Sequence, residues 1–430
     1  MTAVPAAGSR SAADGIERAA LFLGPLLLFW ITLRPLTDLR SDAVLGPRES
    51  GDLFSQVLFL GLFALLLAKL RSIGWHRLAP LAHPAFLAVA GWLLIASLTS
   101  VDPSLSLRRL ALSLMVTGMV GIMLLLPLGQ RQFTDWLGAA ALLVVGLCYL
   151  AVIAVPHLAV HQADAVIEAN LAGDWRGLYD HKSRAGPMMV IFFFIGLHLL
   201  RERRFAMGVP LAAGALVFLL STGAKQPIAL VPVTLAVSWA ASRLRRPAIL
   251  LAGLPLLLVL YNLFLVGSVV FPPIAAIDAA LMTDPTFTNR TGIWRFALDN
   301  FMHRPLFGWG FFGFWNTGQT LFTEGSGPDA YASHASHSHN SYLDLALTTG
   351  LPGLLLALWA VVLQPLRDYL AARPDPARAS LATLFFQIWF FCVFCGAMET
   401  LFFQRDDSIW VSLLLAVFGL RFLAERRPLP

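Results

Sequence analysis

Three of the ten histidines lie close together in the stretch YASHASHSHNSYLDLALTTGLPG, residues 331–353. They are His334, His337 and His339, and an apolar run begins directly after them. Histidines at such a place can form a metal site, a polar loop end without chemistry, or a loop that carries one catalytic base. The loop is rich in Ser and Ala and has no paired cysteine or carboxylate, which argues against zinc.

The elements that position these histidines are membrane helices. Of the 430 residues, 57% are hydrophobic and 13% are charged, whereas a soluble globular protein has about 25% charged residues. The apolar runs are continuous rather than alternating, so we predict helices and not barrel strands. The fold class is therefore an all-α integral membrane protein with about 12 transmembrane helices. The predicted spans are 19–34, 52–70, 84–100, 107–128, 134–155, 186–200, 205–221, 226–242, 247–268, 341–364, 379–399 and 408–424.

Three cysteines lie inside these apolar runs. We predict that Cys148, Cys392 and Cys395 pack as small hydrophobic residues, and that the C-x-x-C spacing of the last two has no metal or redox role. No disulfide framework is visible. The spans at 186 and 205 are separated by Arg-Glu-Arg-Arg, which predicts a tight hairpin.

The distribution of basic residues predicts the orientation. Both termini and the short loops after even-numbered spans hold 18 of the 31 Lys and Arg residues, so we expect both termini to be cytoplasmic. These residues are Arg10, Arg18, Lys69, Arg71, Arg77, Arg131, Arg201, Arg203, Arg204, Arg243, Arg245, Arg246, Arg367, Arg373, Arg378, Arg421, Arg426 and Arg427.

Two long loops on the outer side, 156–185 and 269–340, also carry basic residues against this rule. The first loop holds Arg176, Lys182 and Arg184, and the second holds Arg290, Arg295 and Arg304. An anionic ligand at the outer face would explain positive charge at these places.

The second outer loop is too long for a simple connection and is not disordered in composition. Apolar residues recur at helical spacing from Ile293 to Phe301, which predicts a helix. Asn289 is a suitable N-cap, and the sequence His303-Arg304-Pro305 ends the helix. An aromatic, glycine-rich segment follows, and its rings suit either the membrane interface or the face of a sugar.

Two segments around these residues resemble the O-antigen ligase/polymerase superfamily. Arg290, Trp294, Pro305, Gly308 and Gly310 occupy the marked positions of one family segment, although Arg290 precedes Thr-Gly here instead of following it. The second resemblance is more specific. His339-Asn340, nine residues, Gly350, two residues and Gly353 match a motif of O-antigen ligases without a gap.

A weaker resemblance lies in the first outer loop and in one turn between spans. Trp175-Arg176-Gly177-Leu178-Tyr179 is similar to an R-x-x-G element of the family, although His181-Lys182-Ser183 stand where Pro-Asn is common. Ser221-Thr222-Gly223-Ala224-Lys225 is similar to a second turn, with lysine in place of arginine.

The resemblance implies a GT-C-like glycosyltransferase with a large, partly helical periplasmic loop. It also implies an O-antigen ligase of lipopolysaccharide biosynthesis. Such an enzyme transfers a glycan from an undecaprenyl-pyrophosphate-linked donor to a sugar hydroxyl of lipid A-core, at the periplasmic face of the bacterial inner membrane. The implied partners are donor, acceptor and membrane lipids, without nucleic acid.

The roles of individual residues follow from that chemistry. His339 suits the general base because the unperturbed pKa of histidine is about 6.5. Arg290 and Arg176 suit the pyrophosphate, since guanidinium binds phosphate oxygens bidentately. No acidic pair in the outer loops is placed for magnesium, so we expect transfer without a metal or cofactor. A single attack of the activated hydroxyl on the anomeric carbon would invert its configuration. Further candidates for substrate binding are Lys225, Arg184, Lys182, Trp294, Asn340 and His337.

The predicted organisation has five parts. A cytoplasmic tail of residues 1–18, polar and predicted to be unstructured, precedes nine spans within 19–268, which include the periplasmic loop 156–185. The large periplasmic loop is 269–340, three spans occupy 341–424, and 425–430 is a cytoplasmic tail. Alternatives that remain are an O-antigen polymerase, a protein O-oligosaccharyltransferase and a transporter of lipid-linked oligosaccharide. The scarcity of charges in mid-span and the absence of similar halves disfavour the transporter.

Overall fold

A computed structural model describes residues 7–32, 35–40, 53–165, 169–281, 286–287, 290–315, 317, 335–405 and 407–425. Within these ranges the regular structure is helical, and extended backbone pairs at an isolated bridge between Val160 and Trp175. The prediction of an all-helical membrane protein is confirmed in this coarse form. His334 and the predicted N-cap Asn289 lie outside the described residues.

The described α-helices lie in the order α1 (Ala7–Ile31), α2 (Leu53–Ile73), α3 (Pro84–Leu98), α4 (Pro103–Met123), α5 (Gln130–Ala154), α6 (Pro156–Ala159), α7 (Lys182–Arg201), α8 (Phe205–Ser221), α9 (Lys225–Arg243), α10 (Pro247–Leu265), α11 (Pro272–Leu281), α12 (Arg290–His303), α13 (Ser341–Ala357), α14 (Gln364–Ala372), α15 (Pro376–Cys395) and α16 (Ser408–Ala424). A π-helical stretch, Leu358–Leu363, joins α13 to α14. Short 3-10 helices lie at Trp75–Leu81, Ala169–Leu171 and Val266–Val269.

Each of the twelve predicted apolar runs coincides with helix. By length and composition, 7 helices of the described residues can cross a membrane. The number rises to 8 if the segments Trp75–Leu81 and Pro84–Leu98, bent by 84°, form one span. Helices α8 and α16 are apolar but shorter. The count of twelve spans therefore stays a prediction.

Residues 7–18, which the sequence predicts as part of an unstructured tail, are helical and continuous with the first apolar run. Ion pairs explain the difference. Asp14 accepts a hydrogen bond from Arg18 one turn later (2.6 Å) and another from Lys69 of α2 (2.7 Å). Glu17 also pairs with Lys69, so two carboxylates of α1 contact the ammonium group of a lysine that is only 6% exposed. These partners lie 52 and 55 residues away and leave no local sequence pattern.

The bundle has buried central helices and exposed peripheral ones. In the most apolar 18-residue stretch of each helix, 78% of the residues of α15 and 72% of those of α7 are buried inside the protein, against 17% of those of α2. The predicted hairpin of α7 and α8 is confirmed. A Cβ atom on Gly196 would lie 2.7 Å from the backbone nitrogen of Ala212, so this glycine lets the two helices approach closely.

Polar ends of several helices meet at one end of the bundle, which we call the site end. Gln226, at the start of α9, donates to the carbonyl of the last residue of α15 (3.3 Å). Arg184, near the start of α7, lies 3.9 Å from Asp407, which precedes α16. Asn262, near the end of α10, accepts a hydrogen bond from Asn340, which precedes α13 (3.0 Å). Because successive helices alternate in direction, residues far apart in sequence meet here.

Helix α13 bends sharply at Gly350, the first glycine of the His-Asn motif. Its φ of 72° and ψ of 176° are accessible to glycine and are strained for other residues. A Cβ atom at this position would also collide with the carbonyl of Leu306. Trp92 of α3 donates to the Thr349 carbonyl (2.8 Å), which keeps this carbonyl satisfied at the bend.

The segment after α12 fills the bend in α13. Pro352 has no N–H to donate to the carbonyl one turn earlier, so donors from outside the helix take its place. The backbone hydrogen bonds run from Trp309 to Leu347 (3.0 Å), from Gly310 to Thr348 (2.9 Å) and from Leu351 to Pro305 (2.8 Å). The bend at Gly350 and Pro352 thus lets the segment after α12 bind to α13 through backbone hydrogen bonds.

Candidate active site

A carboxylate joins two of the predicted site residues. The Oε1 atom of Glu399 lies 2.8 Å from Nη2 of Arg290, and its Oε2 atom lies 3.4 Å from Nδ1 of His339. The second guanidinium nitrogen of Arg290 donates to the Met398 carbonyl. The side chain of His339 is 32% exposed, against 16% for Arg290 and 14% for Glu399. The imidazole is therefore the group of the three most open to a substrate.

His339 is held by the short loop that precedes α13. Its φ of 52° turns the chain in the left-handed region immediately before the helix begins. The preceding residue, Ser338, is fixed on both sides. Its carbonyl accepts from the indole of Trp294 (3.0 Å), and its N–H donates to the carboxylate of Asp344 (3.0 Å). The orientation of the histidine thus depends on α12 as well as on α13.

Asn340 is the N-cap of α13 and is fully buried. Its Oδ1 atom accepts from the N–H groups of Tyr342 (3.0 Å) and Leu343 (2.9 Å), as an N-cap side chain does. Its amide nitrogen donates to the Ala397 carbonyl (2.8 Å) in addition to Asn262. Asn340, predicted to bind substrate, therefore lies behind the site and positions His339.

Glu399 follows α15 and is fixed by the first residue of α13. Ser341 donates its hydroxyl to the Glu399 carbonyl (2.8 Å) and accepts from the N–H of Leu401 (2.8 Å). Burial alone would raise the pKa of Glu399, but the positive charge of Arg290 and the hydrogen bond from His339 hold this pKa well below its usual range. The carboxylate is therefore ionised.

His337 lies beside His339, with the ring centroids 4.1 Å apart. Its Nδ1 atom accepts from the backbone N–H of His339 (3.3 Å). Burial, reinforced by the adjacent His339, lowers the pKa of His337 well below the usual value of a histidine. A neutral His337 supports the backbone of the loop, and it is poorly suited to holding an anion.

Trp294 and Asp344 both support the site from behind. Trp294 is fully buried, so its indole holds the loop and presents no face to a sugar. Asp344 is 4% exposed and accepts from the indole of Trp315 (2.7 Å) as well as from Ser338. This carboxylate therefore ties Trp315 and Ser338, two residues of the long loop, to α13.

Arg176 has a different environment from Arg290. It is 1% exposed, and its terminal nitrogens donate to the carbonyls of Thr37 (2.7 Å), Asp180 (3.1 Å) and Tyr179 (3.4 Å). Burial lowers its pKa. These bonds tie the chain after α1 to the first outer loop, so the guanidinium is occupied by backbone.

The other predicted cations lie at the site end. Lys182 pairs with Asp174 (2.6 Å), and Arg184 lies 3.6 Å from Asp180 and also acts electrostatically on His337. Lys225 is exposed at the first position of α9, next to Gln226. Arg184 and Lys225 thus lie at the same end of the bundle as the Arg290–Glu399–His339 group.

Glu399 is the functional candidate that sequence reasoning missed. It was included in the predicted span 379–399, where it is the only acidic residue. A carboxylate inside a predicted span is a functional candidate by default, and this signal was available. Its partners lie 60 and 109 residues away, so only the fold reveals the pairing.

The arrangement can accept a proton and bind an anion side by side. An exposed imidazole next to an ionised carboxylate suits proton abstraction, and an arginine whose carboxylate partner is exchangeable suits phosphate. In the described residues, no group of three or more His, Cys, Asp or Glu side chains is placed to hold a metal ion. Metal-independent transfer stays a prediction.

Residues 209–358 match the family model described as O-Antigen ligase. The matched segment runs from α8 to the end of α13, and it contains Arg290, His339 and the bend at Gly350. Arg176 and Glu399 lie outside it. The comparison with curated proteins finds no match.

Proposed function

We propose that the chain is an O-antigen ligase of the O-antigen ligase/polymerase superfamily, because residues 209–358 match the family model described as O-Antigen ligase. The donor is a glycan linked to undecaprenyl pyrophosphate, and the acceptor is a sugar hydroxyl of lipid A-core. The enzyme lies in the bacterial inner membrane with both termini in the cytoplasm and the site end facing the periplasm. Donor and acceptor, both lipid-linked, reach the site end from the bilayer.

The observation that supports this proposal best is the meeting of His339 and Arg290 at the site end. They are 49 residues apart in sequence, yet both contact the carboxylate of Glu399. A base and a phosphate-binding cation side by side are what glycosyl transfer from a lipid pyrophosphate requires.

The proposed reaction is a single displacement. The imidazole of His339 takes the proton from the acceptor hydroxyl as the oxygen attacks the anomeric carbon. The bond between that carbon and the pyrophosphate oxygen breaks, and its electron pair leaves with undecaprenyl pyrophosphate. Attack opposite the leaving group inverts the anomeric configuration. Arg290 stabilises the negative charge on the leaving group, so the chemistry requires no metal.

The surrounding residues take secondary roles. We assign Arg184, Lys182 and Lys225 to the anionic donor, because they lie at the site end where helices α7 and α9 begin. The positive ends of these helix dipoles also favour an anion. Arg176 remains a candidate for the pyrophosphate only if it exchanges its backbone partners, so we place it in the scaffold.

The decisive experiment is transfer in vitro by the purified protein in detergent, with undecaprenyl-linked glycan and lipid A-core. His339→Ala should lower the rate by about 10²–10⁴-fold, the contribution of a general base. His303→Ala, an exposed histidine at the end of α12, is the matched control and should be fully active. Full activity of the His339 variant would disprove the assignment of the base.

The same assay separates the alternatives. Elongation of undecaprenyl-linked glycan in place of transfer to lipid A-core would identify a polymerase, and transfer to a protein hydroxyl would identify a protein O-oligosaccharyltransferase. Transfer without a membrane gradient excludes transport as the sole function. Loss of transfer in EDTA would overturn the metal-independent mechanism.

A further inference from the structure

We propose that Glu399 is a positioning residue that couples the base to the pyrophosphate-binding arginine. This inference rests on the proposed function and concerns a residue outside the matched family segment. Its evidence is geometric. Each carboxylate oxygen has a different partner, since Oε1 contacts Arg290 at 2.8 Å and Oε2 contacts His339 at 3.4 Å.

The contact with Glu399 determines which nitrogen of His339 is free. An ionised carboxylate only accepts hydrogen bonds, so it favours the tautomer with the proton on Nδ1. Nε2 then keeps its lone pair and can take the proton from an acceptor hydroxyl. A separation of 3.4 Å is long for a hydrogen bond, as is common at catalytic contacts before substrate binds.

The position of this carboxylate is itself fixed by the element that carries His339. Ser341, two residues after the histidine, holds the Glu399 carbonyl and the N–H of Leu401. The N–H of Ser341 also donates to the Gly396 carbonyl (2.7 Å). The carboxylate of Glu399 and the imidazole of His339 are therefore held by one set of hydrogen bonds, which joins the start of α13 to the segment after α15.

Binding of the donor changes which cation is paired with the Glu399 carboxylate. Pyrophosphate oxygens compete with Glu399 for the guanidinium of Arg290, since both are anionic acceptors of the same donors. When Arg290 turns towards phosphate, Glu399 retains His339 as its cationic partner once the imidazole takes the proton. Glu399 thus takes part in donor binding through Arg290 and in proton abstraction through His339.

Glu399→Gln tests the coupling because a glutamine side chain has one acceptor oxygen for two donors. We expect kcat to fall at least about tenfold while the KM for the undecaprenyl-linked donor does not rise, because Arg290 loses a competing anion. Glu399→Asp keeps both oxygens and should recover most of the lost kcat. The thermal denaturation midpoint of each variant in detergent shows whether the fold is intact.

Glu425→Gln is the matched control, because Glu425 also pairs with an arginine, Arg421, but at the opposite end of α16. It should leave kcat and KM unchanged. An unchanged kcat in Glu399→Gln, a rise in donor KM at constant kcat, or equal losses in the Gln and Asp variants would overturn the coupling and leave the proposed function standing. Absence of transfer by the wild-type protein would overturn both.

Discussion

Two arginines of the outer loops, Arg176 and Arg290, are predicted from the sequence to do the same work. Both oppose the charge rule for membrane topology, and both resemble marked arginines of one superfamily. Their environments differ. Arg176 is 1% exposed and bound by three backbone carbonyls, whereas Arg290 contacts one backbone carbonyl and one carboxylate, next to a histidine that is 32% exposed.

The difference shows that the partner of a cation, more than its residue type, decides its role. Backbone carbonyls that lose a buried guanidinium are left without hydrogen bonds, so Arg176 cannot move without cost. A carboxylate can be replaced by a phosphate oxygen with little change in geometry, because both accept from the same planar fork. Arg290 can therefore exchange partners during a reaction.

Of the two arginines, Arg290 should show the larger effect on activity. Arg290→Ala should lower the rate of glycan transfer by about 10²–10³-fold, the usual cost of removing one group that stabilises transition-state charge. Transfer is compared per folded molecule, because the buried carboxylate of Glu399 loses its cationic partner and the protein loses some stability with it. Arg295→Ala, an exposed arginine in the same helix, is the control and should keep full activity. Normal transfer by the Arg290 variant would remove the distinction between the two arginines.

Arg176 should show the opposite pattern. Arg176→Met removes the donors of three carbonyls and should destabilise the protein by about 3 kcal/mol, seen as a lower denaturation midpoint in detergent. Activity per folded molecule should remain near that of the wild type. Arg40→Met, which breaks the exposed pair with Asp38, is the control and should be nearly neutral. A stable but inactive Arg176 variant would instead support the binding of pyrophosphate by Arg176.

A smaller effect is expected at Gly350, where the long loop that carries Arg290 packs against α13. Gly350→Ala should cost about 1–3 kcal/mol because of its left-handed backbone, with a further penalty from the Leu306 carbonyl. Glycan transfer should fall as well, since the added methyl group pushes the long loop away from α13. Gly146→Ala in α5, where a Cβ atom meets open space, is the control. A neutral Gly350 variant would show that the loop is held by other contacts.

The sequence predicted much of the scaffold. Within the described residues, apolar runs identified the positions of the long membrane-type helices, and the spacing of Ile293 to Phe301 predicted α12 with its end at His303. These features depend on neighbours within one or two turns, which a sequence displays directly. The helical start at residue 7 was missed because its ion pairs with Lys69 cross from α1 to α2.

For the site, the sequence alone determined the residue types and one spacing. His339-Asn340 and Gly350 stand in register, and a local motif needs no fold to be seen. Only the tertiary structure decided what each residue touches. It placed Glu399 between Arg290 and His339, buried Arg176 among carbonyls, and set Gly350 against the outer loop. The physical reason is that alternating helices bring distant chain segments to one end of the bundle, where burial and charge separate residues that look alike in sequence.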